Sequence, residues 1–210
     1  MLMRSSVYTA LKDDILTCRL APGAELREPQ TIARYQVGRS PLREALLRLE
    51  AEGLVVIVPR QYYRVAPISV RDAADMFGLR RLLEPEVALQ AARSADPAAR
   101  ASLLETAAGD DALSFIDDNR RFHCALAAMT PNRRLATACI EVIEQSDRLV
   151  RVSLDQIEGR RPDLLIAEHR AIAQAIAQGD GRTAARLLRA HIDAAELRVL
   201  AALRRAAIVA

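Results

Sequence analysis

Aromatic residues are scarce in this chain: they make up 3% of its 210 residues, and tryptophan is missing altogether. A core without large rings must be aliphatic, and the wealth of Ala and Leu favours helices over strands. No stretch approaches the ~20 uncharged apolar residues needed to span a bilayer. The opening MLMRSSVYTALKDD carries acidic residues too early for a secretory signal, so the cytoplasm is the expected compartment. Cysteine is sparse too. Cys18, Cys124 and Cys139 lie far apart with no CxxC spacing, which argues against a disulfide framework and suits a reducing interior. Cys124 adjoins His123, but neighbouring helical residues point about 100° apart, so it reads as packing.

Charge is unevenly placed. Residues 1–66 hold ten Arg and Lys against seven Asp and Glu, whereas residues 67–210 hold twenty of each. The positive excess therefore sits in the N-terminal third, as phosphate contacts with displaced counterions would require. Within it, the stretch VGRSPLREALLRLEAEGLVV at 37–56 is the most informative. Pro41 suits the first position of a helix, and Leu42, Ala45, Leu46 and Leu49 recur at the spacing of one buried face. Arg39, Ser40 and Arg43 gather at the N-terminus, off that face. A helix that packs on one side and offers Arg and hydroxyl groups at its free end suits a DNA major groove.

The flanks agree. Val7, Leu11, Ile15 and Leu16 predict a first amphipathic helix, closed by the turn Ala21-Pro22-Gly23-Ala24. A short helix over Glu28–Tyr35 is expected to turn Ile32 and Ala33 inward, with Val37-Gly38 as the link. Leu54–Val58, a Pro59-Arg60-Gln61 turn and Tyr63–Ala66 read as a hairpin, or wing. Residues 1–66 are thus expected to form a winged helix-turn-helix, and residues 67–69 a short linker.

From Ser69-Val70-Arg71-Asp72, a capping-box pattern, everything to residue 210 reads as helical. The expected segments are 70–94, 97–108, 111–129, 132–157, 163–178 and 181–206. They are punctuated by Pro97, Gly109, Pro131-Asn132, Gly159 to Pro162 and Gly179-Asp180-Gly181. The expected fold is mainly α: the winged domain plus an all-α bundle of about six helices.

That bundle holds all three histidines of the chain. Ile116, Asn119, His123 and Leu126 share one helical face; Leu165, His169, Ile172 and Ile176 a second; Leu187, Leu188, His191 and Ala195 a third. Buried imidazoles must find polar partners, since an unsatisfied polar group costs a few kcal/mol. One solution joins the three through a metal ion, with the Asn119 carbonyl as a fourth ligand. The other gives each histidine its own hydrogen-bonding partner, and periodicity leaves both open.

The N-terminal stretch LKDDILTCRLAPGAELREPQTIARYQVGRSPLREALLRLEAEGLVVIVPRQYYRVAPIS resembles the DNA-binding domain of GntR-family transcriptional regulators. NRRFHCAL, AEHRAIAQAI, RAHIDAA and GLRRLLEPEVALQAA are similar to FCD, the helical effector-binding domain of the fatty-acid-regulator branch of that family. The resemblance implies that Arg39, Ser40 and Arg43 contact DNA and that the wing near Arg60 touches the backbone or minor groove. It also implies a divalent metal on His123, His169 and His191, with zinc favoured over nickel or manganese, and a small carboxylate effector reached by Arg80. Glu84 is expected to orient Arg80, and Arg81 to lie in a surface salt bridge.

Three departures stand out. Gly38 occupies a position where Ser or Thr is usual, Tyr62 replaces the usual wing-tip Gly, and Asn119 stands for the acidic ligand. Asp118 is one residue off and rotated about 100° from His123. The implied function is a ligand-responsive transcriptional regulator, a repressor rather than an enzyme, acting as a homodimer on a pseudo-palindromic operator, with no membrane partner. The alternatives are a helical metalloenzyme, whose nominated base Glu168 faces away from His169, and a DNA-binding protein without effector whose histidines are structural.

Overall fold

The structure is a computed structural model that describes residues 3–59, 61–94, 96–107, 115–153 and 162–205. Its contacts divide the chain into two compact units, residues 1–69 and 70–209.

The first unit runs α1 (Met3–Leu16), β1 (Glu25–Leu26), α2 (Glu28–Tyr35), α3 (Arg39–Ala51), β2 (Val55–Val58) and β3 (Tyr62–Val65). The strands form one antiparallel sheet in the order β1-β3-β2. Val7, Leu11, Ile15 and Leu16 of α1 meet Leu42, Ala45, Leu46 and Leu49 of α3 in the core, with Leu26, Leu54, Val55 and Val65 beneath them. The wing closes with Val58 opposite Tyr62, so a tyrosine at that tip is compatible with the hairpin.

Three local expectations are corrected. Helix α3 begins at Arg39 with Gly38 as its cap, so Pro41 sits third rather than first. The missing N–H is harmless there too, because the first four amides of a helix lack intrahelical partners. In α2, Ala33 is exposed and Thr31 is buried. The Thr31 hydroxyl donates to the Arg27 carbonyl at 2.9 Å, which satisfies its polar atom and lets the methyl face inward. Strand β1 was not expected. It forms because Glu25 and Leu26 pair with Arg64 and Tyr63, a partnership made only when the wing folds back.

Asp14 ties α1 to α2. Its carboxylate accepts from Arg19 Nε at 2.6 Å, from Arg34 Nη2 at 3.0 Å, and from the Tyr35 hydroxyl. Helix α3 is closed by a turn through Gly53, whose φ of 71° lies in the left-handed region. The Leu54 N–H then reaches back to the Leu49 carbonyl at 2.9 Å, the closing bond of a Schellman turn.

The second unit comprises α4 (Val70–Ser94), α5 (Pro97–Thr106), α6 (Phe115–Ala128), α7 (Arg133–Ser153), α8 (Pro162–Ala177) and α9 (Gly181–Arg205). Six described helices match the expected bundle; residues 108–114 and 154–161 lie outside the described residues. Short polar side chains start the helices by capping free amides: Asp96 at Ala98 N–H (3.1 Å), Asn132 at Leu135 N–H (3.1 Å) and Asp180 at Thr183 N–H (3.0 Å). The most extensive contact is between α4 and α9. It requires Gly181, where a Cβ would stand 3.1 Å from Leu89 Cα and 3.2 Å from Ala92 Cβ. Arg81 clips the same helices together through Asp193 (2.7 Å) and Glu196, the salt-bridging expected of it. No described helix is long and apolar enough to cross a membrane.

Candidate metal centre and nucleic-acid interface

His123 on α6, His169 on α8 and His191 on α9 are all buried, and their rings converge. His191 Nε2 stands 3.3 Å from His123 Nε2 and 3.3 Å from His169 Nε2. Among the described His, Cys, Asp and Glu residues, these three form the one group able to hold a metal ion. The Phe122 ring stacks on His169 with centroids 4.2 Å apart, closing that side with an apolar wall.

Two carboxylates grip the rings from behind. Glu84 Oε2 lies 2.6 Å from His123 Nδ1, and Glu168 Oε2 lies 2.7 Å from His191 Nδ1. Burial pushes the Glu84 carboxyl up, but Arg80, with its Nε 2.5 Å away, and His123 more than offset this and hold it well below the usual carboxylate range. Glu168 is likewise held low, first by its bond from His191. An ionised carboxylate can only accept, so His123 and His191 each donate from Nδ1, which turns Nε2 toward the other rings. Burial pulls His123 down to about 4 and drives His169 well below its ordinary value, with the neighbouring imidazoles adding to the effect at His169.

The donor set fits a divalent cation. His123 and His191 present Nε2 lone pairs to each other at 3.3 Å, with His169 aimed at the same point. A single shared proton satisfies one such contact, not both. Zinc–nitrogen bonds of about 2.0–2.1 Å in a tetrahedral site would place nitrogens roughly 3.3–3.4 Å apart. Carboxylates on the far ring nitrogens are the usual outer shell of such sites.

Asn119 is half-buried on α6, one turn before His123. Asp118 is turned elsewhere and pairs with Arg121. Cys124 stays out of the cluster, its thiol raised to about 11 by burial. Arg80 is buried beside Phe77, its guanidinium carbon 5.7 Å from the ring centroid, and is tied to Glu84 as expected.

Sequence reading missed that Glu84 also grips His123, and that Glu168, facing away from His169, grips His191. The second was findable. Glu168 and His191 are equidistant from the Gly179-Asp180 turn, so an antiparallel α8–α9 hairpin sets them opposite each other.

In the first unit, Arg39, Ser40 and Arg43 are exposed at the start of α3. Arg39 and Arg43 border a groove of about 580 Å³ that is also lined by Arg27, Glu28 and Tyr62. Arg43 forks onto Glu28, with Nε 2.6 Å from Oε1 and Nη2 3.2 Å from Oε2. Arg39 Nε stands 3.5 Å from the same carboxylate. Arg60 lies outside the described residues.

Known proteins match both halves. The profile of the bacterial regulatory proteins of the gntR family matches residues 3–65, and that of the FCD domain matches residues 75–194. An HTH-type transcriptional regulator in an unstable DNA locus of Streptomyces ambofaciens is 31% identical, over 91% of this chain and 82% of that protein. The HTH-type transcriptional repressor RspR of Escherichia coli K12 is 29% identical, over 91% of this chain and 86% of its own length. A GntR transcriptional regulator from Rhodococcus sp. RHA1 shares the fold at a TM-score of 0.78 and 24% identity, covering 96% of this chain and 99% of that one. The chain belongs to the GntR family, in the branch that carries an FCD domain, and is a DNA-binding transcriptional regulator rather than an enzyme.

Proposed function

We propose that the protein is a repressor whose helical unit senses a small carboxylate through a divalent metal centre and thereby sets the affinity of the winged unit for its operator. The observation that carries this reading is the convergence of three buried Nε2 atoms, two of them 3.3 Å from the third, with carboxylates behind two of the rings. A hydrogen bond between two of the rings would account for one of these contacts, whereas a shared ion accounts for both.

His123, His169 and His191 would hold the ion, with Asn119 as fourth ligand; zinc is favoured, ahead of nickel or manganese. The bound ion would supply a Lewis-acidic anchor for a carboxylate. Glu84 and Glu168 fix the tautomer and orientation of their histidines. Phe122 excludes water from one side, and Arg80, steadied by Glu84, offers a cation to the effector's anionic group. Because Glu168 is committed to His191, it is poorly placed to serve as a general base, which speaks against hydrolysis.

In the winged unit, Arg39, Ser40 and Arg43 would enter the major groove, and Arg60 would meet the backbone or minor groove. Two copies of the chain would read the two halves of a pseudo-palindrome in the cytoplasm. A thermal-shift screen of zinc-loaded protein against small carboxylates tests the sensing half. Stabilisation by one class of acid, lost in His169→Ala, supports the reading. Equal behaviour of loaded and chelator-stripped protein toward every acid would leave the histidines structural.

A further inference from the structure

Glu28 has no role in the expectations drawn from the sequence, yet both recognition arginines turn toward it. It is the first residue of α2, where a carboxylate is favoured by the helix dipole. Its side chain is only 19% exposed and forms part of the wall of the groove beside α3. Building on the reading that Arg43 contacts bases, we infer that Glu28 is a specificity-determining residue, which positions Arg43 for base edges and turns phosphates away.

Arg43 has five N–H donors in a rigid fork. Glu28 takes the Nε proton and one Nη2 proton. That leaves the end-on edge, Nη1 with the remaining Nη2 proton, pointing away from the carboxylate. This edge can span the O6 and N7 acceptors of a guanine. A guanine edge is uncharged and tolerates a carboxylate behind the guanidinium. A phosphate is anionic, and near Glu28 it meets repulsion together with a cation already neutralised. The Oε2 atom, 3.5 Å from Arg39 Nε, extends the same bias to the neighbouring arginine. Glu28 therefore weakens sequence-independent binding while leaving base reading intact.

The test uses full-length protein and two duplexes of equal length: one that the wild-type protein enriches from a random library, and an unselected random-sequence pool. Glu28→Gln should bind the pool more tightly, with a salt dependence steeper by about 0.9 for one added phosphate contact, and lower the ratio of specific to non-specific affinity by about tenfold. Thermal stability should fall only slightly, through the lost dipole interaction at the start of α2. In an Arg43→Ala background, Glu28→Gln should move the ratio little, since its partner is gone. If Glu28→Gln weakens both duplexes equally, or leaves the ratio intact while Arg43→Ala collapses it, the inference about Glu28 is overturned and the reading of Arg43 stands. If Arg43→Ala itself spares the ratio, both are overturned.

Discussion

Glu84 Oε2 lies 2.6 Å from His123 Nδ1 while Glu84 Oε1 lies 2.5 Å from Arg80 Nε, so one buried carboxylate joins the candidate effector arginine to a candidate metal ligand. Replacing it with an amide removes the charge that balances Arg80 and leaves His123 loosely oriented. Glu84→Gln is expected to lower zinc affinity about 10–100-fold, read by competition with a chromophoric chelator. Stranding the Arg80 charge in the interior should also cost several kcal/mol of stability, on the order of 3–5 for a broken buried pair. Unchanged metal affinity would place Glu84 outside the centre.

Asn119 is a neutral amide one turn before His123. Asn119→Asp is expected to tighten zinc binding, because a carboxylate is a stronger ligand for the ion than an amide oxygen and adds a compensating charge. Zinc content after dialysis against a weak chelator reads this out. Equal or lower content would remove residue 119 from the ligand set.

Asp14 contributes to the acid stability of the winged unit. Burial raises its carboxyl, but bonds from Tyr35 and Arg19 and the nearby Arg34 outweigh this, so its folded value lies below 3.8. Folding then gains from the ionised group above about pH 4, and the gain is lost as pH falls through the depressed value. Asp14→Asn should flatten the acid limb of a urea-unfolding series that follows this unit. Tyr35→Phe, which deletes one hydroxyl donor to Asp14, should cost about 1–3 kcal/mol at neutral pH.

Arg43 is exposed and outside the core. Arg43→Ala should abolish selective operator binding, a bidentate Arg–guanine pair giving about 1–3 kcal/mol of discrimination. Metal content should stay at the wild-type level. Selectivity that survives the substitution would reassign the reading residues.

Much of this molecule is legible in its sequence wherever the signal is local. Helix α4 runs over Val70–Ser94 as expected, from a polar start to just before Pro97, and carries Pro85 within it. The three histidines announce themselves because each lies on an apolar stripe. What escapes is tertiary. Strand β1 exists only by pairing with β3, and Thr31 faces inward only because its hydroxyl finds the carbonyl of Arg27. The carboxylate behind His123 comes from another helix, and side-chain periodicity on one helix carries no information about the next; only Glu168, across the short α8–α9 turn from His191, can be placed by counting. Glu28 belongs with Glu84, since nothing along the chain indicates that α2 and α3 cross with that carboxylate beside Arg43.

The most direct measurement follows a fluorescent promoter duplex bound to zinc-loaded protein while small carboxylates are added, with His169→Ala in parallel. The account predicts that one class of acid changes the duplex dissociation constant by about 5–150-fold, the usual range of coupling between sites, and that His169→Ala binds the duplex but no longer responds. A duplex affinity indifferent to every acid and to zinc removal, or a full response in His169→Ala, would contradict it.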